Sequence, residues 1–379
     1  METSIYKYEK ANWVPEPLSS LKNEQKADLV LCFGGKEELK KEGVHESLKS
    51  RFPFADVAMC STAGEILQNR VLDNSLIAVA LHFRNTGVRA EAVSIHDYSD
   101  SYEAAKALSS KLQGENLTYI MVLSDGGLVN GSELVKGFSA VNDKVLVTGG
   151  LAGDGPRFES TLVGLNARPT EGQIIAIGFY GTKLKVAHGS QGGWEVFGLE
   201  KEVTRAEANV LYEIEHQSAL SLYKKYLGEA SADLPGAALL FPLSVIIPGS
   251  AKPIVRTILS INEEEQSMTF AGDVPVGSKV QLMRANFDRL RIAASNAAAV
   301  SALDGLPATS FALLISCVGR KLVLGPRVDE EVEAVEQTFG RHVQMAGFYS
   351  YGEISPFNEG GGCQLHNQTM TITNFYELP

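Results

Sequence analysis

Three times along the chain an apolar run ends at glycine, a polar stretch follows, and a second apolar run closes the unit. The first unit reads "LVLCFGG" from residue 29 and then "ADVAMCSTAGEI", ending at Ile66. The second reads "YIMVLSDGG" from 119 and then "KVLVTGGLAGDG", ending at Gly155. The third reads "FALLISCVGR" from 311 and then "VQMAGFYSYGEI", ending at Ile354. An uninterrupted apolar run of this length, stopped by glycine, predicts a strand buried on both faces. The intervening stretches have the period of a helix. Val332, Val335 and Phe339 share one face of 330–339. Leu134, Val135, Phe138 and Val141 form a stripe in 132–141, with Ser132 placed to cap it. Strand, crossover helix and second strand make a βαβ unit of right-handed crossover.

Further strands are expected at "SLIAVALHF" (75–83), "QIIAIGFYG" (173–181) and "LHNQTMTITNF" (365–375). The last alternates apolar and polar, as a sheet with one solvated or ligand-facing side would. Residues 203–227 read as one long amphipathic helix ended by Gly228. Short strands follow in "AALLFPLSVI", "PIVRTILSI" and "SMTFAGDVPVGSKVQLM", and a second long helix is expected over 284–303. The expected class is α/β, with duplicated βαβ-type modules forming mixed sheets in two tightly packed domains. The expected boundary falls near 215–230: an N-terminal extension (1–27), a first domain (28–220) and a second (221–379).

Composition narrows the function. The chain has 379 residues, 44% of them hydrophobic, and a net charge of −11. It is long enough to bury a large core without disulfides or metals. An acidic surface repels phosphate backbones, so nucleic acid is not the expected partner. The four cysteines form no Cys-x-x-Cys pair, which removes zinc-ribbon and thioredoxin readings and suits a reducing compartment. "METSIYKYEKANWVPEP" lacks a signal-peptide core, and the longest apolar run, "FALLISCVG", is about half a membrane span. A cytoplasmic protein without membrane partners is expected.

Candidate chemistry gathers at the glycine-bounded strand ends, where α/β sheets bind ligands. One cluster holds Cys60, Ser61, Thr62 and Glu65. A second holds Gly149, Gly150, Gly153, Asp154 and Arg157. The third holds Tyr349, Ser350, Tyr351 and Glu353, with Asn358, His366, Asn367 and Thr369 close behind. If the units face each other, the two Gly-Glu-Ile turns meet across one crevice. A Gly-Glu turn is equally able to be structural, its carboxylate accepting amides the loop leaves open. "GGLAGDG" is either a turn needing positive φ or a nest for an anion. It is neither a P-loop nor a dinucleotide fingerprint. Cys60 with His366 as base would make a hydrolase or transferase. His188 and His366 are the histidines placed to ligate a haem iron, with Met345, Phe348, Tyr349 and Phe179 as an apolar slot or as ordinary core.

"CSTAGEI", "GGLAGDG", "GFYSYGEISP" and "LHNQTMTIT", in this order, resemble the FIST family, bacterial sensory modules with N-terminal and C-terminal FIST domains. The match runs from about residue 28 across nearly the whole chain. Gly64, Glu65, Gly153, Asp154, Tyr351, Gly352, Glu353, His366, Asn367 and Thr369 carry the motifs. The resemblance implies a sensor of bacterial signal transduction that binds a small ligand, such as an amino-acid-like metabolite, or haem b with nitric oxide. It implies regulation of a separate partner, a histidine kinase or a cyclic-dinucleotide enzyme such as a diguanylate cyclase. A homo-oligomer is among the expected assemblies, and catalysis, using Cys60 or Glu65 and Glu353 with His366, is the alternative.

Overall fold

The computed structural model describes residues 1–234, 236–250, 252–302, 310–356 and 362–378. Asn358, and residue 303 of the second long helix, lie outside the described residues.

The three units form three six-stranded mixed sheets. In each, the two apolar runs pair in parallel: Leu29–Gly34 with Asp56–Ser61, Leu117–Ser124 with Leu146–Leu151, and Phe311–Cys317 with Gln344–Ser350. A return strand then pairs antiparallel with the first run of its unit: Leu76–His82, Gln173–Tyr180 and Met370–Glu377. Beyond the return strand each sheet continues with a further strand, Glu2–Glu9, Gly87–Ser94 and Leu184–Gln191, and the first sheet adds Asn12–Pro15 at its edge. Duplication understates the arrangement, because the module occurs three times.

The alternation along each first strand explains how the sheets pack. Leu29, Leu31 and Phe33 join Tyr119, Met121 and Leu123, and Phe311, Leu313 and Ile315, in one inner core. Phe33 stacks on Phe348 at 4.9 Å, and Tyr119 lies 6.4 Å from Phe375, so this core spans all three sheets. The alternate residues face outward against helices. Val30 and Cys32 meet the helix Val44–Arg51. Ile120, Val122, Ala312 and Leu314 belong to the outer core that includes Ser101–Leu112, Gly131–Val141, Phe287–Ser301 and Asp329–Phe339. The result is a three-sided prism, apolar inside and jacketed by helices, which is why its strands read as unbroken apolar runs.

Short strands following the second runs lock the prism by crossing between sheets. Glu65–Leu67 of the first unit pairs with Gln344–Ser350 of the third. Gly352–Pro356 of the third pairs with Leu146–Leu151 of the second. Val163–Leu165 of the second pairs with Asp56–Ser61 of the first. Each unit therefore donates a strand to a neighbour, and the exchange closes on itself.

Residues Glu195 to Arg284 form a second body inserted in the third unit. Its strand path begins at Ile254–Arg256 and ends at Ile258–Asn262, two segments separated only by Thr257, so the sheet closes into a barrel. Val203, Leu211, Ile214, Met268, Phe270 and Val280 fill it. This corrects the long helix expected over 203–227. Glu195–Glu207 and Val210–Ile214 are a hairpin, and only Ala219–Leu227 is helical. Left-handed backbone at Ala208, Glu215 and His216 breaks the segment into turns. Burial of Val203, Leu211 and Ile214 inside a barrel then overrides their helical spacing.

Other expectations hold with adjusted detail. The helix over 132–141 forms, but its cap is Asn130, whose side chain accepts from Ser132 N and Glu133 N. The second long helix forms over Phe287–Ser301, capped by Asn286. The single strand expected over 365–375 forms as two, Cys363–His366 in the second sheet and Met370–Glu377 in the third, and the polar face around Met370–Glu377 is not solvated. Thr369, Thr371 and Thr373 are buried, and Thr373 joins Thr148 and Tyr119 through 2.7 Å hydroxyl contacts.

Candidate functional site

The three glycine-bounded turns converge at one end of the prism as three corners. Gly153 N donates to Ser61 O, Ala63 N to Tyr349 O, Tyr349 N to Gly64 O, and Tyr351 N to Leu151 O. The two Gly-Glu-Ile turns therefore do meet, through backbone hydrogen bonds rather than across an open crevice. At Gly153 a Cβ would come within 2.9 Å of Ala63 N, so this packing needs glycine.

Each corner carries a buried carboxylate. Glu65 accepts from Thr62 Oγ1 (2.5 Å), Ser75 N (3.0 Å) and Ser75 Oγ (2.6 Å). Glu353 repeats the pattern with Ser350 Oγ (2.7 Å), Thr369 N (3.1 Å) and Thr369 Oγ1 (2.9 Å). In both, a hydroxyl three residues upstream and the residue just before the return strand are tied to one carboxylate. Burial pushes both acids up to about 7, against the pull of their hydrogen bonds. Asp154 differs. It accepts from the amides of Phe158, Glu159 and Ser160 and from the Tyr351 hydroxyl. Lys36 and Arg157 approach it at 3.8 Å and 3.7 Å.

Most of the other candidates sit inside these locks. Cys60 is buried in its strand with Sγ against Ser61 O, and burial pushes its thiol up, opposite to an activated nucleophile. Ser61 Oγ accepts from Leu162 N. Gly150 is in register with Glu353 inside the sheet. Tyr349 donates to Glu331 at 2.5 Å. Asn367 is buried beside Thr369 in the chain. His366 is in register with Glu353, its Nε2 3.0 Å from Ser355 O; burial holds it down at about 4. His188 is in register with Thr373 on the strand Leu184–Gln191.

Tyr351 is the candidate that reaches an opening. Its ring stacks on Phe158 at 4.4 Å, and both line a cleft of about 430 Å³ between the prism and the barrel. The prism side is the glycine-rich loop Gly126–Gly131 and the loop through Glu159, Ser160 and Thr161. The barrel side includes Asn209, Ser260, Thr269 and the turn at Ala271–Gly272. Asp125 shapes the first loop by accepting from Gly127 N and Leu128 N. Phe158 has φ +56°, a left-handed backbone that is costly for a bulky side chain and is held here by Asp154. Such strain concentrates at ligand sites.

Polar contacts join the two bodies beside the cleft. Asp273 of the barrel meets Lys136 (3.0 Å) and Asn130 (3.4 Å), and its amide donates to Ser132 Oγ. Arg256, buried in the barrel, donates to Leu365 O of the prism at 3.1 Å. Asp273, Lys136, Asn130 and Arg256 did not stand out in the sequence. The one available signal was "SDGG", a strand end as glycine-rich as the three corners.

Replacing Tyr351 by Phe removes the hydroxyl that donates to Asp154 and accepts from Phe158 N. The expected loss is about 1–3 kcal/mol, with faster amide exchange across 155–160. Urea unfolding and hydrogen exchange measure both, and unchanged exchange would contradict the role given to Tyr351.

The cleft does not supply the histidine ligands expected for a haem, because neither His188 nor His366 lines it. Among the described residues the cleft is lined by no histidine, cysteine or methionine. Met345, Phe348, Tyr349 and Phe179 are packed core. No helix among the described residues is long and apolar enough to cross a membrane.

A three-sided prism with an inserted barrel and a polar cleft between them defines a two-body architecture. Family models match as the FIST N domain over residues 28–217 and the FIST C domain over 219–356. The chain belongs to the FIST family, whose domains are sensory domains of signalling proteins. No curated protein matches it. Among solved structures it is similar to a cyanuric acid hydrolase from A. caulinodans, at 7% identity and TM-score 0.36, covering 100% of this chain and 99% of that one. It is also similar to PurLQS from Thermotoga maritima, at 8% identity and TM-score 0.21, covering 84% and 74%.

Proposed function

We propose that this protein is a cytoplasmic sensor that binds a small metabolite in the cleft between prism and barrel. The carrying observation is that the cleft is built from both bodies and floored by the strained Phe158 and its partner Tyr351. A ligand touching both walls favours one seating of the barrel over others, and shifts the population accordingly. A separate signalling partner, a histidine kinase or a cyclic-dinucleotide enzyme, reads that seating. The Asp273 and Arg256 contacts are the joint that the shift works on.

The test is a thermal-shift screen of metabolites on the full chain and on Ser260→Trp, which fills the cleft from the barrel wall. Compounds that bind here raise the melting temperature of the parent in a saturable way and leave the variant unmoved. If every stabilising compound shifts both proteins equally, the cleft is not the ligand site.

A further inference from the structure

The cleft places a glycine-rich loop before the N-terminus of the helix Gly131–Val141, an arrangement that commonly receives anions. Here five of the amide donors are already used. Gly126 N donates to Thr161 Oγ1, Gly127 N and Leu128 N donate to Asp125, and Ser132 N and Glu133 N donate to Asn130. The neighbouring cations are also engaged. Lys36 lies 2.5 Å from Ser160 Oγ and faces Asp154, Arg157 faces Asp154, and Lys136 is shared by Glu133 and Asp273. An anionic ligand would meet none of these amides free and no uncommitted positive charge.

The opposite charge is well provided for. Among the described residues, Glu159 is the one charged side chain lining the cleft, and its carboxylate makes no ion pair. Beside it in sequence Phe158 stacks on Tyr351, and an aromatic face next to a carboxylate is what attracts an ammonium group. The net charge of −11 adds a long-range bias in the same direction.

We propose that the cleft takes a compact cation, an aliphatic amine or a quaternary ammonium, held between the Glu159 carboxylate and the Phe158–Tyr351 aromatic pair. This rests on the cleft being the ligand site. It narrows the ligand class, because a ligand's own carboxylate would have no counter-charge there.

The experiment is calorimetry and thermal shift with choline and putrescine, and with acetate and inorganic phosphate as anions, at matched ionic strength. The proteins are the full chain, Glu159→Gln, Phe158→Ala and Ser260→Trp. At least one of the two cations is expected to bind the parent saturably. Glu159→Gln and Phe158→Ala should each weaken it about tenfold or more, and Ser260→Trp should abolish it. Glu159 is exposed and outside the hydrophobic core, so Glu159→Gln keeps the test independent of folding. Three results overturn the cation class: no saturable binding of either cation up to about 10 mM, equal cation affinity in Glu159→Gln, or binding of the anions instead. Cation binding that survives in Ser260→Trp refutes the cleft itself as the site.

Discussion

Replacing Glu331 by Ala is expected to destabilise the protein by about 3–5 kcal/mol, the largest effect of any single side-chain removal considered for this chain. Glu331 and Arg320 are both fully buried. The guanidinium reaches Glu331 Oε2 through Nε at 2.9 Å and Nη2 at 2.8 Å. Two further N–H groups donate to the carbonyls of Gly192 and Leu290. The other carboxylate oxygen accepts from Ser316 at 3.1 Å and Tyr349 at 2.5 Å. One network thus ties the first and second strands of the third unit to the helix Phe287–Ser301 and to the entry of the barrel. Without Glu331 a buried guanidinium has no counter-charge and two hydroxyls lose their acceptor, so desolvation goes uncompensated. Arg320→Met combined with Glu331→Leu removes both charges and should cost less than Glu331→Ala alone. Urea unfolding of the single and double variants measures this. A single-variant loss below about 0.5 kcal/mol would contradict the network's role.

The second large effect is on pH dependence. Glu65 and Glu353 have folded-state values raised from 4.5 to about 7. The folded protein therefore holds more protons than the unfolded chain between these values, and stability falls as pH rises through them. Their contribution is complete below about 4.5 and lost above about 7, worth about 3 kcal/mol per group at the full shift and less after relaxation. His366 acts in the other direction. Its value is lowered from 6.5 to about 4, so its contribution is present above 6.5 and lost as pH falls through 4. Two acids outweigh one histidine, so the account predicts that stability is highest near pH 4.5 and declines as pH rises to about 7, most steeply between about 6.5 and 7. In the Glu65→Gln, Glu353→Gln double variant that decline should flatten. An equal slope in parent and variant would remove these two acids as its source.

The central strands were readable from the sequence because they are buried on both faces and so appear as unbroken apolar runs, as at Leu29–Gly34 and Phe311–Cys317. The crossover helices were readable from spacing, as at Val332, Val335 and Phe339. The hairpin around Val203 and Leu211 was not, since these apolar positions also satisfy a helical period and only closure of the barrel decides between them. Glu331 was equally hidden. In "EEVEAVEQTF" it looks like a solvated acid, and its burial depends on Arg320, 11 residues away across a helix start. For the site, the corner motifs stood out because three copies share glycine and a carboxylate, and the fold makes them joints of the prism. The cleft did not stand out. Its walls come from residues near 127, 159, 209, 260 and 270, which no local pattern brings together. Among the described residues, only Leu151 and Tyr351 belong to both the motifs and the opening.

The most direct test of the ligand cleft is hydrogen exchange on the full chain with and without about 10 mM choline. The account predicts slower exchange in residues 126–131 and 158–161 of the prism together with 259–272 of the barrel, because one ligand touches both bodies. Protection confined to one body, or protection elsewhere with the cleft unchanged, would contradict it.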